Sequence, residues 1–163
     1  DAGTLHATTI VLAAGAWSRQ LHVEGVEPRV PVRPVRGQIL HLGWVGQPLA
    51  RITWDERCYV VPRPDGTVLV GATVEEAGFD ERTTVAGVRD LMEAACDLLP
   101  QAWTASLLGV KVGLRPGNAD ALPIIGWSSR VPGLMYATGH YRNGVLLTPL
   151  TADLVARAGL DGT

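Results

Sequence analysis

Residues 58–70 have the sequence CYVVPRPDGTVLV. Two short runs rich in β-branched residues flank a turn sequence, Pro-Asp-Gly, at positions 64–66. Proline presets one backbone dihedral angle and glycine accepts a positive φ, so this step is typical of a tight turn between antiparallel strands. The segment therefore predicts a β-hairpin.

Proline-punctuated runs of apolar residues continue on both sides of this hairpin. They span residues 32–42 and 49–53 before it, and residues 107–114 much later in the chain. Alternation with a period of two is typical of strands that bury one face, so these runs predict an antiparallel sheet. Residues 134–137 predict a further short, buried strand.

Two helices are predicted. The first follows Thr83 and Thr84, where apolar residues recur at three- and four-residue spacing until Pro100 stops the pattern. The second covers residues 145–158 near the end of the chain. Its predicted apolar face consists of Leu146, Leu150, Leu154 and Val155.

The first apolar run, residues 4–15, leads into a glycine turn and then into the short helical sequence 16–21. This order is typical of a parallel α/β sheet, whose strands are normally paired on both edges. No neighbour for this strand is evident, so we expect most of its sheet to lie upstream. Met92 and Met135 are both internal, which also favours a missing or processed N-terminus. The predicted fold class is α+β, with a parallel strand at each end.

Composition and charge exclude several functional classes. A formal net charge of −2, with Lys111 as the only lysine, leaves no basic face for nucleic acid. No apolar run has the roughly eighteen residues that a membrane-spanning helix needs. Neither Cys58 nor Cys96 has a cysteine or histidine at zinc-ligand spacing, and the four histidines form no metal-binding pair. The sequence predicts a soluble cytoplasmic protein with reduced thiols and no metal.

Arg115 ends an apolar strand directly before a Pro-Gly turn, within KVGLRPGNADALPIIG (111–126). A guanidinium held by a stiff strand where the chain opens to a pocket can bind a carboxylate through two parallel hydrogen bonds. A surface ion pair between Arg115 and Asp120 explains the same pattern equally well. Both interpretations stay open at this point.

A glycine-flanked polar loop precedes the closing helix, within YATGHYRNGVLLTP (136–149). The first N–H groups of a helix have no partner inside it, so the amides from Asn143 to Leu146 can face an anion or an electron-rich carbonyl. Asn143 is equally well explained as a simple N-cap, and His140 as a core histidine. Tyr59 lies on a strand of the hairpin. A tyrosine at such a position more often packs against its neighbours than binds a ligand.

Together these segments resemble the FAD-dependent amino acid oxidases of the glycine oxidase and D-amino acid oxidase group, and most of all the glycine oxidases of thiamine biosynthesis. The matching sequences follow the family's order along nearly the whole chain. They are VLAAGAWS (11–18), PVRGQ (34–38), CYVVPR (58–63), LVGAT (69–73), GLRPG (113–117), LPIIG (122–126) and GHYRNGVLLTP (139–149).

The resemblance implies a role for each segment. Arg115 would bind the carboxylate of the substrate, Tyr59 would donate a hydrogen bond to it, and Arg142 would line the same cavity. One departure is Asn118, which stands where relatives often have threonine. The implied cofactor contacts are Ala14 and Gly15 in the nucleotide-binding sheet, and His140, Tyr141, Arg142, Asn143, Gly144, Val145 and Leu146 beside the flavin ring.

The same resemblance divides the chain into three segments. Residues 1–27 would be part of the FAD-binding domain, and residues 28–133 the antiparallel substrate-binding domain. Residues 134–163 would return to the FAD-binding domain as its C-terminal strand and helix. The family's G-x-G-x-x-G fingerprint, which holds the ADP half of FAD, does not occur in residues 1–163. We therefore expect the chain alone to be inactive.

The implied reaction is the oxidation of glycine or a small D-amino acid to the imino acid, with O2 as the electron acceptor and H2O2 as a product. FAD would be bound non-covalently, since no cysteine lies near Arg115. Two alternatives stay open: a sarcosine-type oxidase or D-amino acid dehydrogenase of the same group, and a flavin-free module that binds amino acids. The resemblance also leaves open whether the full-length protein is a homo-oligomer.

Overall fold

The computed structural model describes residues 3–26 and 29–161. The described chain confirms the α+β class. In chain order its elements are β1 (Ile10–Leu12), β2 (Arg33–Gly43), β3 (Thr53–Trp54), β4 (Tyr59–Pro62), β5 (Thr67–Gly71), α1 (Val85–Leu98), β6 (Ser106–Gly117), β7 (Ile124–Trp127), β8 (Leu134–Thr138) and α2 (Gly144–Asp161), with 3-10 turns at Gly15–Trp17 and Pro100–Thr104.

The chain forms two compact units, which are described separately. Unit 1 draws on Asp1–Pro34 and Arg115–Thr163, and unit 2 is the continuous segment Val35–Leu114. The three predicted segments 1–27, 28–133 and 134–163 stay a prediction, because compact units within one chain do not establish functional domains. The first of their boundaries falls at Glu27 and Pro28, which lie outside the described residues.

A five-stranded sheet in the order β3-β4-β5-β2-β6 runs through unit 2. The predicted hairpin is confirmed: β4 and β5 pair in antiparallel register, with Tyr59 opposite Gly71. Gly66 in its turn has a φ of +80°, which glycine adopts at little cost. The strand predicted over residues 49–53 is much shorter, because β3 pairs with β4 at only two positions.

One face of this sheet carries the apolar core of unit 2. The predicted first helix is confirmed as α1, and the Thr84 hydroxyl caps it by accepting a hydrogen bond from the Gly87 N–H at 3.2 Å. Because alternate strand residues project from the same face, one set packs against the helix. The buried core contains Leu40, Leu42, Val60, Val68 and Val70 from the strands and Leu91, Ala94 and Ala95 from α1.

A buried amide, that of Gln38 on β2, connects three segments of unit 2. Gln38 is completely shielded from solvent. Its Nε2 donates to Glu75 Oε1 and to Thr84 Oγ1, each at 2.8 Å, and its Oε1 accepts from the Thr84 N–H at 3.0 Å. A Cβ at Gly87 would lie 2.7 Å from Gln38 Cδ, so glycine is needed there for the amide to fit. Gln38 therefore fixes the start of α1 against the sheet.

Arg36 extends this network on the same strand. Its backbone pairs with that of Glu75 in an antiparallel bridge, and its guanidinium donates to Glu75 Oε2 at 2.6 Å from Nη2. The same guanidinium lies 3.0 Å from a carboxylate oxygen of Asp80 and donates to the carbonyls of Asp80 and Arg82. A largely buried charge is thus neutralised by two carboxylates and held by two carbonyls.

Unit 1 contains a three-stranded sheet in the order β1-β8-β7. No neighbour of the N-terminal strand was evident from the sequence, and the structure supplies one: β1 pairs in parallel with β8, Ile10 lying opposite Leu134. The partner is distant in sequence, which is why no neighbour was evident. Strand β7 was not predicted and pairs with β8 in antiparallel register. A small core forms around Leu12, Val26 and Leu134.

The closing helix is confirmed as α2, but three of the four residues of its predicted apolar face are exposed and only Val155 is half-buried. Leu146 is 80% exposed, and Leu150 and Leu154 are also exposed. The helix has apolar residues on more than one side, so leucine spacing alone could not select the packed face. Its half-buried positions are Gly144, Leu147, Thr151, Val155 and Ala158.

Two further findings concern the described residues. None of the helices in 3–26 and 29–161 is both long and apolar enough to cross a membrane. Cys58 and Cys96 are free thiols. Burial raises the pKa of Cys58 to about 11, so its reactive thiolate form is scarce near neutral pH.

Acid should weaken unit 2 through Glu75. Burial alone would raise the pKa of this carboxyl, but hydrogen bonds from Thr73, Gln38 and Arg36 outweigh burial and hold the pKa below its usual 4.5. A carboxyl with a lowered folded-state pKa stabilises the fold above its unfolded-state pKa, and that stability is lost as the pH falls through the folded-state value. We expect the free energy of unfolding in urea to decline as the pH falls below about 4.5.

Glu75→Gln should make this acid dependence shallower, while Glu81→Gln, at an exposed position, serves as the matched control. If the wild-type chain and Glu75→Gln lost stability with the same slope, the stabilising role of the Glu75 carboxylate would be disproved.

Candidate functional site

The carboxyl ends of β1 and β8 lie at the same edge of the unit 1 sheet, because the two strands are parallel. Ala14 and Gly15 follow β1 directly, and the loop Gly139–Asn143 follows β8. Loops at this edge of an α/β sheet are the usual place for ligands. All the residues predicted to contact a cofactor therefore belong to one unit and to loops or helix starts near one edge.

A pair of buried hydroxyls ties the two loops together. Ser18 Oγ and Thr138 Oγ1 are 2.8 Å apart, and each lies within hydrogen-bonding distance of the carbonyl oxygen of Gly15, at 2.8 Å and 3.1 Å. Gly15 itself has a φ of +54°. The sequence analysis did not single out Ser18 or Thr138. Only the serine within VLAAGAWS carried a signal, since a small polar residue there interrupts an apolar segment.

The loop after β8 is joined to the end of β6. The Tyr141 N–H donates to the carbonyl of Pro116 at 3.1 Å, directly beside Arg115 in the chain. A Cβ at Gly139 would lie 3.1 Å from Asn118 Nδ2, so the loop packs closely on the turn that follows Arg115. Two segments that the sequence marked separately are thus hydrogen-bonded neighbours in unit 1.

Arg115 lies half-buried on β6, near its end. Asp120, its suggested partner in an ion pair, accepts a hydrogen bond from the Leu122 N–H at 3.1 Å and so has a role within its own turn. Arg142 is exposed, and its guanidinium carbon lies 5.4 Å from the centre of the Tyr141 ring, a cation–π distance. Both arginines belong to the same unit as the predicted cofactor loop.

His140 has a partner on the closing helix. Its Nε2 lies 2.9 Å from Thr151 Oγ1, which orients the imidazole and links the loop to α2. The helix begins at Gly144, and the carbonyl of Asn143 accepts the hydrogen bond of the Leu147 N–H at 2.9 Å. Asn143 thus stands at the N-cap position, and the amides of Gly144, Val145 and Leu146 follow at the positive end of the helix.

Two buried polar atoms of unit 1 have no hydrogen-bond partner among the described residues. They are Oδ1 of Asn118 and Nε1 of Trp127, an acceptor and a donor. Asn118 is only 8% exposed, and its Nδ2 donates to the Leu122 carbonyl at 2.6 Å. An unsatisfied buried polar group costs about 1–3 kcal/mol. A polar ligand that both donates and accepts hydrogen bonds would remove this cost.

Tyr59 belongs to unit 2, where it stands on β4 opposite Gly71. Its side chain is 37% exposed, on the sheet face opposite the apolar core. A phenol there has both an apolar ring to pack and a hydroxyl free to face a polar ligand. The described residues of either unit contain no group of three metal-binding side chains.

The model of a family described as FAD dependent oxidoreductase (DAO) matches residues 1–158. The bifunctional protein ThiO/ThiG of Nostoc sp. is 40% identical over 160 residues, which are 96% of this chain and 24% of that protein.

Two solved structures are similar as well. The glycine oxidase of Geobacillus kaustophilus is 36% identical with a TM-score of 0.87, over 95% of this chain and 42% of that one. The iminodiacetate oxidase (IdaA) of Chelativorans sp. BNC1 is 31% identical with a TM-score of 0.88, over 97% of this chain and 43% of that one. The chain therefore spans well under half the length of these relatives.

Thr138→Val should loosen the sheet edge of unit 1. The substitution keeps the shape but removes the buried hydroxyl that bonds with Ser18 and Gly15, at an expected cost of about 1–3 kcal/mol. Urea unfolding would measure the loss, and hydrogen exchange at Ile10–Leu12 should become faster. Thr4→Val, at an exposed position of the same unit, is the control. A Thr138→Val chain as stable as the wild type would disprove the role of this hydroxyl.

Proposed function

The chain belongs to the DAO family of FAD-dependent oxidoreductases, and on that basis we propose that it is the C-terminal portion of an enzyme that oxidises glycine or a small D-amino acid. The whole enzyme would convert the amino acid and O2 to the imino acid and H2O2. The glycine oxidase of Geobacillus kaustophilus, of which the chain matches 42%, supports this substrate class. The cytoplasm stays the predicted compartment of the enzyme.

The observation that best supports the proposal is the hydrogen bond from the Tyr141 N–H to the Pro116 carbonyl. It fixes the strand end that carries Arg115 against the loop that contains His140 and Arg142. A residue able to bind a carboxylate and a loop implied to contact the flavin are therefore rigidly connected. Such a connection would position substrate and cofactor relative to each other, and positioning of this kind can supply several kcal/mol of rate acceleration.

The residues of unit 1 fit a flavin. Asn118 Oδ1 needs a hydrogen-bond donor and Trp127 Nε1 needs an acceptor, and the flavin ring carries both kinds of group. The residues that would hold the cofactor are those at the sheet edge and at the start of α2, from Ala14 and Gly15 to Leu146. When bound, FAD would supply the electron-accepting chemistry of the reaction.

In this proposal Arg115 binds the substrate carboxylate. A guanidinium forms two parallel hydrogen bonds to a carboxylate, which fixes the plane of that group and hence the direction of the neighbouring C–H bond. The phenol of Tyr59 donates a hydrogen bond to the same carboxylate, and Arg142 lines the cavity. The role of Tyr59 rests on the family resemblance.

The start of α2 would contribute electrostatically. The N–H groups of Gly144, Val145 and Leu146 lie at the positive end of an 18-residue helix. There they would stabilise negative charge that develops on an adjacent ring during reduction. His140, oriented by Thr151 on the same helix, would help to hold the loop in the geometry that this requires.

A second candidate is an oxidase of secondary amines, in the manner of a sarcosine-type oxidase. The likeness to the iminodiacetate oxidase of Chelativorans favours it, since that enzyme's named substrate carries a carboxylate beside a secondary amine. The carboxylate clamp would serve both substrate classes equally. Comparing turnover of glycine with that of N-methylglycine by the full-length enzyme would separate the two.

We predict that residues 1–163 alone bind FAD weakly and do not oxidise amino acids. The pyrophosphate of a dinucleotide needs a glycine turn at a helix N-terminus, and the G-x-G-x-x-G pattern does not occur in these residues. The purified chain should lack a visible flavin spectrum and should form no H2O2 with glycine. The glycine oxidase of Geobacillus kaustophilus serves as the positive control. A stoichiometric flavin spectrum of the chain would contradict this part of the proposal.

Arg115→Ala, made in the full-length enzyme of which we propose this chain is a part, should leave FAD binding intact and lower kcat/KM. Loss of a desolvated bidentate contact costs on the order of 2–5 kcal/mol, which is roughly 30- to 4,000-fold. Arg115→Lys should recover binding better than turnover, because an ammonium neutralises the carboxylate without fixing its plane. Arg142→Ala should lower FAD affinity together with the rate.

Steady-state kinetics and flavin titration would measure these effects. Arg130→Ala, at an exposed position of the same unit, is the matched control. If Arg115→Ala and Asp120→Asn both left kcat/KM near normal, Arg115 would be a surface residue and the clamp would be rejected.

A further inference from the structure

A row of four residues crosses the unit 2 sheet at one level. Trp54 lies opposite Tyr59, Tyr59 opposite Gly71, and Gly71 opposite Ile39. Directly opposed residues on neighbouring strands project from the same face. That face is the one turned away from the core, which the preceding and following residues such as Val60 and Val70 fill. Tyr59 and Gly71 thus form a cross-strand pair on the open face.

The space that a side chain at position 71 would occupy is filled by the Tyr59 ring. A Cβ built on Gly71 would lie 2.7 Å from Tyr59 Cε2 and even closer to Cζ and the hydroxyl oxygen. Gly71 does not have a left-handed φ, so a positive φ is not the reason for a glycine at this position. The Tyr59 ring, which fills the space of a side chain there, is the constraint that favours glycine.

The backbone below the ring is held in place two residues further on. The Gln38 N–H donates to Thr73 Oγ1 at 2.8 Å, and the Thr73 N–H donates to the Gln38 carbonyl at 3.3 Å. Thr73 Oγ1 in turn donates to Glu75 Oε1 at 2.5 Å. The strand segment of Gly71 is thus attached through Thr73 to the buried polar network. The backbone on which the Tyr59 ring packs therefore has a fixed position in the sheet.

We propose that Gly71 is a positioning residue, whose missing side chain leaves room for the end of the Tyr59 phenol against β5 and so sets the place of its hydroxyl. The inference rests on the proposed function, in which that hydroxyl binds the substrate carboxylate. A methyl group at position 71 forces the ring to move by about 1 Å before ordinary contact is reached, because Cζ and the hydroxyl oxygen lie closest to it. Misplacement of about 1 Å in an active site can cost on the order of 100-fold in rate.

The geometry can be tested on the chain itself, without any activity. A Tyr59 ring packed against Gly71 should shift the Gly71 Hα resonances away from their positions in a chain without the ring. Tyr59→Leu should abolish that shift while leaving the resonances of Gly109 in place, since nothing lies within 4 Å of a Cβ at Gly109. Ordinary Hα shifts of Gly71 in the wild-type chain would overturn the proposal.

The functional test is a mutant cycle in the full-length enzyme. Gly71→Ala should lower kcat/KM by roughly 10- to 100-fold. The loss should be shared between KM and kcat in the same proportion as the loss caused by Tyr59→Phe. In a Tyr59→Ala background, Gly71→Ala should change kcat/KM by less than about twofold, because no ring remains to be displaced. Gly109→Ala, another glycine of the same sheet with open space around it, is the control and should behave like the wild type.

The outcomes separate this inference from the proposed function. If Tyr59→Phe lowers kcat/KM but Gly71→Ala does not, or if Gly71→Ala costs as much in the Tyr59→Ala background, the positioning role is overturned and the proposed function stands. If Arg115→Ala and Tyr59→Phe both leave activity unchanged, the proposed function fails. Should Gly71→Ala alone fail to fold, the Tyr59→Ala/Gly71→Ala double variant should fold; a double variant that also fails would overturn the inference.

Discussion

The side-chain amide of Gln38 is the interaction on which the geometry of unit 2 depends. It is fully buried, and its N–H donors and its oxygen acceptor bind Glu75 and Thr84. A buried amide leaves little latitude, because each unmet hydrogen bond costs the full desolvation of that group. Burial of the apolar core holds α1 against the sheet, and the hydrogen bonds of Gln38 to Thr84 fix the position of the start of the helix. The same amide also binds Glu75 in the segment after β5. It therefore helps to position the end of β5, where Tyr59 packs against Gly71.

Unit 1 is organised differently. Its apolar core is small, and its sheet edge is held by backbone and hydroxyl contacts: Ser18 with Thr138 and Gly15, and Tyr141 with Pro116. These bonds cluster where the loops implied to contact the cofactor begin. The two unmatched atoms of Asn118 and Trp127 belong to this unit as well. Unit 1 thus combines a well-connected framework with two buried polar atoms that have no hydrogen-bond partner among the described residues.

The elements with strong local signals were predictable from the sequence. The Pro-Asp-Gly turn at 64–66 and the apolar spacing between Thr84 and Pro100 gave the hairpin and α1 nearly to the residue. Features that depend on distant partners were not. The parallel pairing of β1 with β8, the Ser18 and Thr138 contact and the network around Gln38 each join segments that no local pattern relates. The packed face of α2 was missed because that helix is apolar on several sides. The candidate residues came from motifs, whereas their connections, such as the one between Tyr141 and Pro116, came only from the structure.

The discontinuity of unit 1 has a consequence for how the chain folds. Unit 2 is one uninterrupted segment, so its hairpin and helix can form as soon as residue 114 is available. The pairing of β1 with β8 must wait for residues that lie more than a hundred positions later in the sequence. Closure of such a long loop is entropically costly and slow compared with local contacts. During synthesis on the ribosome, unit 2 should therefore be native while β1 still has an open edge. The edge of β1 that pairs with β8 therefore stays unpaired for longer than the strands of the hairpin.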